Sequence, residues 1–429
     1  MTAKPARDPG AHRIALVIDY ALDYLGGAQN AFWDGAHALK NAGHSITIVA
    51  PDTAKTRKTA ELQKWQRAGG GVLLVKTRGT VPGVGLPIVP NTSKLRARLN
   101  ELYKTQGITA VHLHSEFGLA NAALQAAQAQ NLPVAHTVHT FFWEARLPKV
   151  LDWVVAALLR RGLGWLIGAK ISGFAVTGKP LASARTDSVL RGATLQTVLA
   201  ADAVISPSAH QAEILREAAQ RAIAVVPNPQ HSAAETKPDT EAELAVMPDF
   251  AQGLRLVWIG RLVPEKRLIE FIKACKLVQE QAPNLRFQVA IVGAGPLEAQ
   301  ARAQAKGLPI KFLGRLEREQ VLAQISAAHV TVLSSNGFDN QPVTIVESVQ
   351  QGRPVLLCDR RLPEGLHGGS GIYTAGPAPQ DFAREIIRLA NDPAAVQKAA
   401  AATAQDRADF CPVTHVARLL KVYETASQV

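Results

Sequence analysis

Short apolar runs alternate with amphipathic segments from Arg13 onward. RIALVID at 13–19 is a compact apolar run, Gly26 and Gly27 then open a helical stretch over 28–41, and SITIVA at 45–50 is apolar again. Further runs at 72–75, 110–113, 133–137, 203–206 and 223–226 are separated by helical segments such as 94–106. Continuous apolar strands alternating with helices predict a parallel sheet covered on both faces. Pro227-Asn228-Pro229 halts the series, and the polar stretch 229–253, rich in Ala, Glu, Asp and Pro, reads as a linker. A second series begins with RLVWIG at 255 and continues through 287–292, 310–313, 330–333 and 354–357, with helical segments at 267–281, 317–327 and 343–351 between them. Helical segments at 381–390, 393–408 and 412–427 end the chain. The pattern predicts two doubly wound α/β domains, 1–228 and 254–410, with a terminal helix in 411–429 packing back toward the first. Open parallel sheets bind ligands beyond the carboxyl ends of their strands, so the expected site is the cleft between the two.

The region 143–200 breaks the alternation. WVVAALLRRGLGWLIGAKISGF sets Arg160, Arg161 and Lys170 among aromatic and aliphatic residues, followed by Lys179, Arg185 and Arg191. Two readings fit: a helical insert with a buried face, or an interfacial segment that lies on a membrane.

Length and charge narrow the class. At 429 residues, with 47% apolar and 19% charged residues, the chain exceeds one ordinary core and has a globular composition. Residues 1–228 carry 25 Lys+Arg against 14 Asp+Glu, a surplus of +11, and 229–429 carry 22 against 21, a surplus of +1. A basic half points to an anionic partner, such as lipid headgroups or phosphorylated substrates, or to a merely solvated face. Nucleic acid is disfavoured, because no interleaved basic and aromatic motif accompanies the charge. Cys275, Cys358 and Cys411 lack metal or redox spacing and read as core residues in a reducing compartment. The start, MTAKPARDPGAHR, lacks an apolar signal core, and no run of about 20 apolar residues occurs, so the expectation is a cytoplasmic protein, peripheral at the inner membrane face if the insert binds lipid.

The candidate chemistry sits at predicted strand ends. Gly26-Gly27-Ala28 follows the first strand and opens a helix, where free amides meet phosphate or sugar, or simply form a tight turn. Neither it nor Gly293-Ala294-Gly295 completes a dinucleotide fingerprint. Arg261 and Lys266, in GRLVPEK after the strand ending at Ile259, form either a diphosphate clamp or a solvent salt bridge through Glu265. In DNQPVTIVE, Asp339 and Glu347 bracket a loop and helix start, with backbone amides over 340–344 between them. HTVHTFFWE follows a predicted strand and contains His136 and His139, of which His136 reads as the packed one.

GRLVPEK, VGAGPL, FLGRLEREQV, DNQPVTIVE and GRPVL occur in the order and approximate spacing of the retaining glycosyltransferases of family 4, which have the GT-B fold of two Rossmann-like domains. The resemblance covers nearly all of 13–427. The acidic motif is a variant: Asp339 replaces the first of two glutamates, and Asn340, Gln341 and Pro342 replace a Gly-Phe-Gly. Arg267 stands where the family usually has glycine after the lysine. The resemblance implies that Arg261 and Lys266 bind the donor diphosphate, that Glu347 holds the ribose, and that Asp339 and His139 face the transferred sugar. It further implies sugar and phosphate contacts from Gly26, Gly27, Asn340, Gln341, Val343 and Thr344, and base selection near Phe312. Its reaction passes the acceptor's proton to the leaving phosphate on one face. No metal or other cofactor is expected beyond the nucleotide diphosphate sugar, in keeping with the lack of an Asp-x-Asp triplet. The function implied is hexosyl transfer to a lipid-linked or envelope glycan acceptor. The rival readings are an inactive sugar-nucleotide binding subunit and a sugar-nucleotide hydrolase or epimerase.

Overall fold

The computed structural model describes residues 11–22, 26–81, 85–139, 149–172, 184–229, 246–337 and 339–428. The chain forms two compact units, Met1–His231 with His415–Val429, and Ser232–Thr414.

In the first unit β1 (Arg13–Val17), β2 (Ser45–Asp52), β3 (Gly71–Lys76), β4 (Ala110–Leu113), β5 (Val134–Thr137), β6 (Ala203–Ser206) and β7 (Ala224–Val225) form one sheet ordered β3-β2-β1-β4-β5-β6-β7. Every pairing is parallel. Parallel neighbours require crossovers, and the crossover helices cover both faces. Ala15 and Val17 therefore enter one apolar cluster while Ile14 and Leu16 enter another on the opposite face. The order reverses between β1 and β4, which opens a crevice at their carboxyl ends.

The second unit repeats the plan. β8 (Leu254–Ile259), β9 (Phe287–Val292), β10 (Ile310–Gly314), β11 (Val330–Leu333), β12 (Val355–Leu357) and β13 (Gly371–Tyr373) are ordered β10-β9-β8-β11-β12-β13, again all parallel. Its switch point lies between β8 and β11. The loop after β9 touches the loop after β8: Leu262 N–H donates to Ala294 O at 3.0 Å, and a Cβ on Gly293, whose φ is +134°, would lie 1.9 Å from Gly260 O. Only glycine fits there.

The terminal helix Pro412–Ala426 sends Val416, Leu419, Val422 and Tyr423 into the first unit's core. Of the assigned linker 229–253, residues 230–245 lie outside the described residues. Its end belongs to the second unit, for Met247 and Phe250 pack on that core and Phe250 stacks on His329 at 3.9 Å. In the insert, 143–148 and 173–183 lie outside the described residues. The helix Lys149–Ile167 buries Ala156, Leu163, Leu166 and Ile167 against Phe117, Val189 and Ala193. The same helix exposes Leu151, Trp153, Leu158 and Trp165, the last three at 60%, 66% and 54%.

Five histidines, His112, His114, His136, His139 and His415, gather in the first unit. Burial holds His136 at about 3, His139 at about 4 and His415 at about 4, and takes His112 and His114 well below the ordinary histidine value. Both ring nitrogens of His136 are buried without a partner, the packed role expected of it. Burial works in the opposite sense on Glu116, raised to about 8, and on Asp19, also raised.

Two outcomes are expected. Gly293→Ala should lower the unfolding free energy by about 3 kcal/mol, read by denaturant titration. Acidification from pH 7 to pH 5 should lower the melting temperature. A histidine with a depressed folded pKa binds fewer protons folded than unfolded, so its contribution is complete above the unfolded value near 6.5 and falls as pH drops. His136, His139 and His415 each lose about 2 kcal/mol over that span. Glu116 and Asp19 gain stability over it but are outnumbered. A melting temperature that rose on acidification would contradict the neutral cluster.

Candidate functional site

The second unit's site is built from the loops that follow β8 and β11. After Ile259 the chain runs through Gly260 and the exposed Arg261 into a one-turn 3-10 helix, Pro264–Lys266. Arg267 then takes the left-handed φ of +53° that glycine adopts freely, and its guanidinium donates to Pro377 O at 2.6 Å. The turn is thus made without glycine, held by that hydrogen bond. Trp258 on β8 donates its indole N–H to Ser334 Oγ at 2.9 Å, and Ser334 Oγ donates to Lys266 O at 2.8 Å. One buried indole therefore fixes the lysine's backbone.

Lys266 Nζ forms an ion pair with Asp339 Oδ1, and Ser335 Oγ donates to Asp339 Oδ2. The lysine and aspartate side chains are 17% and 9% exposed. At that depth each charge depends on the other, because an unpaired ion out of water is costly. The solvent bridge to Glu265 is replaced by this partner 73 residues away. A second carboxylate clamps the same loop: Asp359 Oδ2 accepts from Gly337 N–H at 2.7 Å, and Arg361 forks onto both Asp359 oxygens at 2.8 Å. Burial alone would raise the Asp359 pKa, yet the bonds from Arg361 and Gly337 hold it below the usual carboxylate range.

The loop ends in the helix Val343–Gln350 with Pro342 at its N-cap. Asn340, Gln341, Val343 and Thr344 are half-buried around this start, where unpaired amides and the helix dipole favour anions and hydroxyls. Glu347, one turn on and 8% exposed at its side chain, lies 3.8 Å from Arg318 Nε. Phe312 is half-buried on β10 with the Arg302 guanidinium 4.7 Å over its ring. The fold thus joins Lys266 and Asp339 directly, sets Arg261, Asn340, Gln341, Val343, Thr344 and Glu347 on the elements after β8 and β11, and leaves Phe312 two strands from β8.

In the first unit, Gly26 caps and the exposed Gly27 begins the helix Gly27–Asn41, with Asn30 N–H donating to Gly26 O at 3.0 Å. Residues 23–25 lie outside the described residues. Asp19, past β1, accepts from Phe117, Leu119 and Ala120 N–H at 3.1, 2.7 and 3.2 Å and from Ser115 Oγ at 2.7 Å. It therefore caps the helix Gly118–Gln128 from a neighbouring strand. His139 is half-buried beyond β5, its Nε2 3.0 Å from His114 Nδ1. Among the described residues no group of three or more His, Cys, Asp or Glu is arranged to hold a metal ion, and no helix is long and apolar enough to cross a membrane.

Ser335, Asp359, Asp19 and His114 are the participants that the sequence pattern did not mark. Ser334-Ser335 directly after β11, and the His-x-His at 112–114 where β4 ends, are the signals that could have found two of them.

The family model of glycosyltransferase family 4 matches residues 25–230, and that of the group 1 glycosyl transferases matches 253–392. A D-inositol 3-phosphate glycosyltransferase of Nocardiopsis dassonvillei is 27% identical over 322 residues, 70% of this chain and 73% of the relative. A phosphatidyl-myo-inositol mannosyltransferase of Mycobacterium leprae is 23% identical over 424 residues, 97% of each chain. A glycosyltransferase from Rickettsia africae superposes with a TM-score of 0.65 at 13% identity, over 97% of this chain and 98% of its own. Two Rossmann-like units with strand-end sites, matched in turn by both models, make this chain a glycosyltransferase of family 4 with the GT-B fold.

Proposed function

We propose that the chain moves a hexose, with retention of configuration, from a GDP- or UDP-linked sugar to a lipid-linked or envelope glycan. The observation that carries this reading is the Lys266–Asp339–Ser335 cluster, with the exposed Arg261 earlier in the lysine's loop and the helix Val343–Gln350 opening after the aspartate. Breaking the bond from sugar to phosphate builds negative charge on a diphosphate. Arg261 and Lys266 neutralise that charge, and the three donors of the ammonium let Lys266 bind phosphate while it keeps Asp339. Asp339 orients a sugar hydroxyl, Glu347 takes the ribose hydroxyls, and the amides of Val343 and Thr344 with the side chains of Asn340 and Gln341 hold sugar and phosphate. Phe312 stands toward the base. On the first unit, Gly26 and Gly27 let phosphate or acceptor approach the backbone, and His139 meets the transferring sugar. The acceptor hydroxyl passes its proton to the departing phosphate on the same face, so neither a protein nucleophile nor a metal enters.

The acceptor class rests on three supports. The first half carries the positive surplus, the insert helix exposes Trp153, Leu158 and Trp165 near Arg160 and Arg161, and the Mycobacterium leprae relative is named for a lipid acceptor. A peripheral seat on an anionic membrane at the cytoplasmic side follows from the same features. For the donor, the structural neighbour HepE of Anabaena was crystallised with UDP and glucose.

GDP or UDP should raise the melting temperature of the purified chain, by an amount equivalent to about 2.7 kcal/mol at a hundredfold excess over Kd, and the rise should vanish in Arg261→Ala. Glu347→Ala and Asp339→Ala should lose transfer. No shift with GDP, UDP, ADP or dTDP at millimolar concentration would end the diphosphate assignment, and release of free sugar at full rate without acceptor would replace transfer by hydrolysis. Separately, vesicles containing phosphatidylglycerol should sediment the protein at low salt, and Trp153→Ser with Leu158→Ser should leave it in the supernatant. Equal sedimentation of the wild type with neutral vesicles would remove the electrostatic part.

A further inference from the structure

We propose that His114 is a positioning residue that sets the orientation and tautomer of His139; the inference rests on the reading of His139 given above. The two rings are joined by a hydrogen bond of 3.0 Å between His114 Nδ1 and His139 Nε2 and lie side by side, with centroids 5.2 Å apart and planes 18° from parallel. His139 lies beyond the end of β5, whereas His114 is anchored on several sides. Its backbone N–H donates to Val17 O on β1 at 2.8 Å. Its ring meets Phe32, on the helix that Gly26 caps, edge-on at 5.1 Å, and lies 4.2 Å from the ring of His112. His112 is itself fixed at both nitrogens, by Tyr423 OH and by Thr137 Oγ1, each at 2.8 Å. His139 is therefore tied to a rigid stack built on three parallel strands and two helices.

The hydrogen bond also carries chemical information. A neutral imidazole has one N–H and one bare nitrogen, and burial keeps both rings neutral at pH 7. One proton lies between His114 Nδ1 and His139 Nε2. If His114 carries it, His139 is protonated on Nδ1 and offers a donor there. If His139 carries it, its Nδ1 is bare and offers an acceptor. The tautomers of the two rings are thereby linked, and the seat of the shared proton fixes whether His139 Nδ1 is a donor or an acceptor.

The test uses the full chain and the sugar nucleotide that stabilises it. His114→Phe keeps an aromatic ring against Phe32 but removes both nitrogens, and His114→Asn retains a polar atom near the place of Nδ1. In 15N-histidine spectra the wild-type His139 should show a single neutral tautomer, and His114→Phe should show a mixture. Turnover should fall by about 100-fold in His114→Phe with KM for the sugar nucleotide changed less than about twofold, the pattern of a misplaced catalytic group. His114→Asn should recover part of that loss and covers the case in which the Phe variant does not fold. An unchanged His139 tautomer, or wild-type turnover in both variants beside a dead His139→Ala, would overturn this inference alone. Wild-type turnover in His139→Ala would overturn the assignment of His139 and the inference with it.

Discussion

Lys266 and Asp339 are withdrawn from water together, and that mutual dependence organises the second unit's strand ends. A surface ion pair contributes little, because water screens it and two long side chains lose freedom. With the aspartate 9% and the lysine 17% exposed, the balance changes: either ion alone would keep its desolvation cost without its partner. The pair can stand there only if the backbone holds both groups within reach. Trp258 and Ser334 supply that on the lysine side, and Ser335, with Asp359 bonded to Gly337, supplies it on the aspartate side. The shorter reach of aspartate relative to glutamate is met by a loop fixed at both ends. A cation held in this way is set in advance and needs no reorganisation when negative charge builds near it.

The backbone makes a parallel contribution. Both sheets reverse strand order between two central strands, and each reversal leaves the loops after those strands free of a covering helix. Gly293 closes on Gly260 in the second unit because nothing larger than hydrogen fits, and Arg267 adopts a left-handed turn held by Pro377 O. Two local conformations that side chains ordinarily oppose thus shape the loop carrying Arg261 and Lys266.

Much of this was legible in the sequence for a physical reason. Strands buried on both faces leave continuous apolar runs, and ten or so such runs separated by helices permit few architectures. β13 escaped because GIY is three residues long and begins with glycine. The positions of the charged residues at strand ends were legible because each follows an apolar run; their roles were not, since the same residues also make turns and salt bridges. Their partners were not. Lys266 with Asp339, His114 with His139 and Asp19 with Leu119 meet across 73, 25 and 100 residues, and local pattern contains no term for such pairings.

The two units treat charge at their strand ends in opposite ways. In the first, burial works against both signs: His136 and His139 fall to about 3 and about 4, while Glu116 rises to about 8, so these three side chains are mostly uncharged near neutrality. In the second, the lysine and carboxylate are kept as a pair. A neutral, hydrogen-bonding surface suits hydroxyl groups, which need direction rather than charge; a paired cation suits phosphate, which can share the lysine with the aspartate. Each unit thus handles buried charge in its own way. The hydrogen bond between His114 and His139 belongs to the first. A neutral imidazole acts through the position of a single proton, and a ring free to rotate or to exchange tautomers would offer the hydroxyl a donor and an acceptor by turns.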